Sequence, residues 1–290
     1  MQLALGTVQF GLDYGVANTD GKMDTTTMTS ILQQAWAKGI DTLDTAISYG
    51  EREKRLGMTN VEDWRIVTKL PEIPNECTNI NTWILNQVQK SLLRLRVTRI
   101  SALLLHRPDQ LLESNGVEIW KALQDLKQKN IVEKIGFSVY DCNQLDALWD
   151  SFQPDIIQMP YNLLDQRFMI SGWMKKMNDA GVEIHVRSIF LQGLLLMSKS
   201  DRPEKFNHWK EIWEVLDAWL LEYDITAVEA AIGFAMDNPY IDKIVVGVDN
   251  IQQLEEILSI TLKSKVVHPP KSLNISDVRL INPSQWNKLS

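Results

Sequence analysis

Two cysteines, Cys77 and Cys142, are all that this 290-residue sequence contains, and neither has a second thiol or a histidine at metal-ligand spacing. That excludes a disulfide scaffold and points to free thiols in a reducing, cytoplasmic setting. Histidine is nearly as scarce. His106, His185, His208 and His268 form no H-x-H or H-E-x-x-H pair, so a metal-dependent hydrolase lacks its ligands and no metal is expected. Positive charge is short as well. The 30 basic and 37 acidic residues give a net charge of -7, which argues against nucleic acid as a partner but leaves room for a local phosphate site. No apolar run approaches bilayer length, and MQLALGTVQFG lacks the basic segment that precedes a signal peptide's apolar stretch, so no membrane partner is expected. A G-x-G-x-x-G turn is also missing. The glycines of GTVQFGLDYG are spaced differently, which disfavours a Rossmann domain.

What is present is an alternation of short apolar runs with amphipathic stretches. Strands are expected at 4–9, 42–46, 65–69, 101–106, 134–138, 156–159, 183–187 and 243–248. They read as continuous apolar runs, as parallel strands covered by helices do. Helices are expected at 27–38, 51–56, 79–94, 117–129, 144–149, 167–180, 226–236 and 251–262, and an additional one at 206–222 follows the seventh strand. Eight strand-helix units predict an α/β fold, a (β/α)8 TIM barrel over residues 1–263 with a helical insert near 199–222. The tail, 264–290, carries Pro269, Pro270, Pro283 and Trp286. It could pack near the barrel mouth, lie on the surface, or form an oligomer contact; a monomer or weak homo-oligomer is expected.

Four polar residues sit at or just beyond strand ends: Asp44 in TLDTA, Tyr49 in the next loop, Lys69 closing RIVTK and His106 closing ALLLH. In such a barrel the C-terminal strand ends gather on one face. A free phenol titrates near 10, too high for efficient acid-base work at neutral pH. A lysine beside it favours phenolate, and an aspartate can hold the ammonium in place. Histidine can donate to a carbonyl oxygen and fix its angle. Each residue has a plainer reading alone: a turn-capping Asp, a half-buried aromatic, a surface Lys, a turn His. Their joint placement after successive strands favours chemistry, namely reduction of a carbonyl or the reverse oxidation.

The segments LDTAISYG, VTKL, LLLHRPD, GFSVY, QMPYN and VVGVDNIQQLEE, in this order, make the chain resemble the aldo-keto reductase family over nearly its whole length. The resemblance implies a barrel that binds NADPH or NADH without a Rossmann domain, with Asp44, Tyr49, Lys69 and His106 as a catalytic tetrad and Tyr49 as proton donor. It also implies cofactor contacts from Ser138 and Gln158, although Val139 stands where the family often has Asn. Arg187 occupies a position where the family usually has a stacking aromatic; a guanidinium can stack on a ring or approach a pyrophosphate. Ser188, Leu191 and Gly193 follow in the phosphate-side loop, and Gly247, Asp249 and Gln253 lie around the eighth strand. Asp249 suits the ribose hydroxyls of NADH, or it or Asn250 caps the last helix. NADPH is preferred on the ground that Lys199 or Arg202 could reach in from the insert.

Phe10, Asp13, Tyr14 and Trp286 are the candidate substrate residues, an aromatic wall with one acceptor that suits a hydroxylated carbonyl compound. The opening GTVQFGLDYGVAN is similar to a bacterial branch associated with surface-carbohydrate pathways, which implies a sugar or nucleotide sugar. The small-molecule carbonyl substrate has two competitors as a reading of function. One is a dehydrogenase working in the oxidative direction; the other is a non-catalytic dinucleotide-binding barrel serving as a sensor or partner subunit.

Overall fold

Strands that are apolar on both faces need cover on both, and here they close on themselves. The computed structural model describes residues 1–10, 23–49, 51–262 and 266–289. Its eight parallel strands form a closed barrel in sequence order: β1 (Leu3–Gly6), β2 (Thr42–Asp44), β3 (Arg65–Leu70), β4 (Ile100–Leu105), β5 (Val132–Ser138), β6 (Ile156–Pro160), β7 (Glu183–Arg187) and β8 (Lys243–Val246). β8 pairs back onto β1 through Leu3–Ile244, Ala4–Val245 and Leu5–Val246. The expected (β/α)8 barrel is therefore the observed fold. β1 is shorter than its apolar run because Val8–Phe10 turns into a 3-10 segment, and β8 stops two residues early.

Helices cover the outside. α1 (Thr25–Ala37) starts where Asp24 accepts from the Thr27 amide at 2.9 Å, so the cap sets its beginning two residues ahead of the expected one. α2 (Glu51–Gly57) follows β2, and α3 (Ile80–Leu95) buries Ile80, Ile84, Val88 and Leu95 on one stripe. α4 (Gly116–Gln128) and α5 (Cys142–Leu148) follow β4 and β5. The single helix expected at 167–180 is two, α6 (Arg167–Ile170) and α7 (Trp173–Asp179), because Gly172 takes φ +82° between them. After β7 the insert forms a 3-10 turn at Glu204–Trp209 and then α8 (Lys210–Tyr223); α9 (Ala227–Met236) and α10 (Ile251–Thr261) complete the ring.

Side chains two residues apart on a strand share a face. The lumen face that carries Asp44, Lys69, Ser138, Gln158 and Arg187 thus also carries Thr42, Val67, Gly136, Ile156 and His185 one step down, and Arg65, Lys134 and Glu183 below those. Val67, Ala102, Leu104 and Ile156 form a small apolar cluster between the polar layers. At Gly136 a Cβ would lie 1.7 Å from the Ile156 carbonyl oxygen, so only glycine lets β5 and β6 approach here. A second core lies outside the barrel. Leu163, Leu194, Phe206, Trp213 and Leu216 bury there against Leu273, Leu280 and Trp286 of the tail, whose α11 spans Val278–Ile281. The Trp286 indole donates to the Leu280 carbonyl at 2.9 Å and meets the Phe206 ring edge-on.

Candidate active site

Asp44 ends β2, Lys69 lies one residue before the end of β3, His106 follows β4 directly, and Tyr49 closes a 3-10 turn at Ile47–Tyr49. All four line one cavity of about 370 Å³ at the C-terminal end of the strands. Lys69 donates to both Asp44 oxygens at 2.7 Å and to the Thr45 carbonyl at 3.0 Å. Three acceptors satisfy the three protons of an ammonium, so the geometry is that of the charged form. Burial pulls the Lys69 pKa below its usual range against the pull of Asp44, and Arg187 acts in the same direction as burial. Burial, with the nearby charges of Lys69 and Arg187, brings His106 down to about 4. Its imidazole is therefore neutral at neutral pH and able to donate one hydrogen bond.

Gln158 is fully buried on β6 and donates to Asp44 Oδ1 at 2.6 Å. That bond fixes its amide orientation and leaves Oε1 buried without a hydrogen-bond partner in a residue that lines the cavity. Ser138, 1% exposed, lines the cavity from the neighbouring strand, in register with Gln158. Val139 is fully buried in the main core, so it offers the cavity no side chain.

Arg187, Ser188, Gly193, Gly247, Asp249 and Gln253 also line the cavity. The Arg187 guanidinium lies 4.3 Å over the Tyr140 ring and donates to the Val139 carbonyl at 3.1 Å and to Ser188 Oγ at 3.3 Å. Ser188, Leu191 and Gln192 hold positive φ values of 61°, 49° and 54°, a strained loop of the sort kept where function needs it. At Gly247 a Cβ would clash with the Gln9 amide, which packs against that backbone. Asn250, not Asp249, caps α10 by accepting from the Gln253 amide at 2.9 Å; the Gln253 side chain in turn accepts from the Asp249 amide at 2.8 Å.

Other nominated residues are placed elsewhere. Leu191 is fully buried in the second core and does not line the cavity. Phe10 is fully buried in the main core, and Trp286 in the second, so neither reaches the cavity wall. Asp13 and Tyr14 lie outside the described residues. Arg202 grips both oxygens of Asp217 and lies over Trp213, while Lys199 is exposed and outside the cavity lining. Sequence reasoning passed over Tyr140, although its spacing of two from Ser138 is a same-face signal. It also passed over Phe190, Leu196 and Val228, whose apolar character looks like core, although the segment after β7 and α9 bring them to the cavity.

Two curated relatives match most of the chain. D-threo-aldose 1-dehydrogenase from Pseudomonas sp is 24% identical over 295 residues, covering 87% of this chain and 89% of the relative. The uncharacterized oxidoreductase YqkF of Bacillus subtilis is 24% identical over 253 residues, covering 78% and 79%. Among solved structures, the holo form of aldo-keto reductase AKR11C1 from Bacillus halodurans superposes with a TM-score of 0.74 at 20% identity, covering 94% of this chain and 90% of that one. The model of the aldo/keto reductase family matches residues 2–273, nearly the whole barrel with its cavity, and the chain belongs to that family.

Proposed function

We propose that the chain reduces the carbonyl of a hydroxylated aldehyde or ketone, using a nicotinamide dinucleotide, with Tyr49 as proton donor. The observation that carries the reading is the buried Gln158 Oε1, an unused acceptor beside a lysine-aspartate pair that is already locked. A carboxamide N–H satisfies such an acceptor, and the Ser138 hydroxyl supplies the complementary contact, so the residues present fit the nicotinamide amide. When bound there, the dinucleotide supplies the hydride. The chain's own part is to orient and to move a proton. Neutral His106 donates to the substrate oxygen, Tyr49 gives up its phenolic proton to the forming alkoxide, and Asp44 holds Lys69 in place.

Arg202 is paired with Asp217 and Lys199 lies outside the cavity lining, so neither adds support for NADPH. At the α10 end the charged residues among the described cavity lining are Asp249 and Glu256, so NADH is the first dinucleotide to test. An aldose is the first substrate to test, since one relative is named as an aldose 1-dehydrogenase. That name also supports the oxidative direction as the second reading.

Titration of the protein with NADH and NADPH, followed by nicotinamide fluorescence, tests binding. Tyr49→Phe should then lower turnover about 10³-fold, the scale of a lost general acid, with dinucleotide affinity kept. Absence of dinucleotide binding, or full turnover in Tyr49→Phe, would overturn the reading.

A further inference from the structure

Three residues after Tyr49 in sequence, α2 sends a cation back over the phenol. The Arg52 guanidinium lies 4.2 Å from the centroid of the Tyr49 ring, and Arg52 is only 4% exposed. Its backbone is firmly held. α2 and α3 approach so closely that a Cβ on Gly57 would lie 2.1 Å from the Arg94 carbonyl oxygen. Glu53, its neighbour in sequence, faces away and is fully buried. It accepts from Thr68 Oγ1 at 3.1 Å, from Ser91 Oγ at 2.7 Å and from Arg94 Nε at 2.8 Å, so its charge is spent on β3 and α3.

Tyr49 therefore has cations on two flanks. On the β3 side Lys69 is locked to Asp44, and the pair presents the phenol with little net charge. His106 on β4 is neutral, and Arg187 on β7 is drawn to Tyr140 and Val139. Asp249 and Glu256 line the cavity from the α10 side. Arg52, like Arg187, is a guanidinium that stays charged at any working pH, but it lies over the Tyr49 ring, whereas Arg187 lies over that of Tyr140. A cation over an aromatic face stabilises the ring's negative charge, most of all when desolvated.

We propose that Arg52 is a positioning residue that acts through Tyr49, a second and non-titrating cation that sets the pH range over which the phenol donates its proton. The proposal rests on Tyr49 being the proton donor. Removing the cation raises the phenol's pKa, so the alkaline limb of kcat/KM for carbonyl reduction moves upward.

The test compares wild type, Arg52→Met and Arg52→Lys across pH 6 to 10. Arg52→Met should shift the alkaline limb up by about one unit, equivalent to about tenfold in the proton equilibrium. Arg52→Lys should restore it. Ultraviolet difference titration of the phenol, taken as each variant minus the same variant with Tyr49→Phe, reads the same shift without turnover. A uniform loss of rate with an unmoved limb and an unmoved phenol titration would overturn the proposal and leave Arg52 a packing residue. If Tyr49→Phe retains turnover, the proton-donor reading fails by itself, while the absorbance titration still reports whether Arg52 tunes the ring.

Discussion

Both ends of the barrel lumen hold a carboxylate pinned by cations, and the one at the C-terminal end lines a cavity. At the C-terminal end Asp44 binds Lys69 and Gln158, and Tyr49, His106 and Arg187 stand beside them in the cavity wall. At the other end Glu183 accepts from His185 at 2.7 Å, from Lys134, and from Arg65 at 3.4 Å. Nearby, Lys243 bonds Asp41 at 2.7 Å and the Met1 carbonyl at 3.0 Å. Burial tends to raise the Glu183 pKa, but the bonds from His185 and Lys134 outweigh it and hold the carboxyl at about 2. The residue types at the two ends are nearly the same. Each end keeps a buried polar atom without a hydrogen-bond partner, His185 Nδ1 below and Gln158 Oε1 above; what differs is that Gln158 lines the cavity together with Tyr49 and His106. A polar network that lines a cavity can meet a ligand, while one that pairs its charges among strands holds those strands together.

Substitutions at the two ends should therefore separate activity from stability. The largest effect is expected for Lys69→Met. It strips the ammonium from beside the phenol and should cost about 10³-fold in turnover, while Gln158 still bonds Asp44 and limits the loss of stability. Steady-state rates together with urea denaturation check both parts. Next in size, Glu183→Gln should do the opposite. It leaves Lys134, Arg65 and His185 around a neutral amide and should cost about 2 to 3 kcal/mol of stability with turnover retained, a discounted figure for breaking a partly exposed network. Turnover lost in parallel with stability would erase the distinction between the two ends.

The smallest effect is one of pH. A histidine whose folded pKa lies near 4 instead of 6.5 binds its proton more readily in the unfolded chain. Stability should thus fall as pH drops from 6.5 to about 4, by about 2 kcal/mol in total for this partly buried ring. Glu183 behaves differently. Its contribution is complete above 4.5 and is lost as pH falls toward 2. Denaturation series between pH 7.5 and 4.5 should show the first slope in wild type and lose it in His106→Gln. An unchanged slope in that variant would place the acid sensitivity elsewhere.

The barrel was legible because parallel strands must be apolar on both faces and helices must carry stripes; both patterns are local. The gathering of Asp44, Tyr49, Lys69 and His106 at one cavity was legible for a related reason, since a polar residue closing an apolar run needs an explanation. Helix breaks were harder to see. Nothing in the composition of 167–180 shows that Gly172 would take a left-handed turn and divide it. Trp286 and Phe10 looked like a substrate wall because an aromatic residue in a loop or tail has no periodic pattern to declare it core. Their burial follows from long-range packing onto α8 and onto the barrel. Arg202 and Arg52 illustrate the same limit from the side of charge. Sequence shows a cation but not its partner, and Asp217 claims the first while the Tyr49 ring lies under the second.

The second core also imposes an order on synthesis. Leu163 and Leu194 wait on a surface that Leu280 and Trp286 cover, and more than a hundred residues separate Leu163 from Trp286. At about 5 to 20 residues per second that apolar face stays uncovered for roughly ten seconds while the ribosome works, in a chain whose barrel strands up to β6 have already been made. The tail is thus the last piece of wall around a patch that would otherwise recruit chaperones or neighbouring nascent chains.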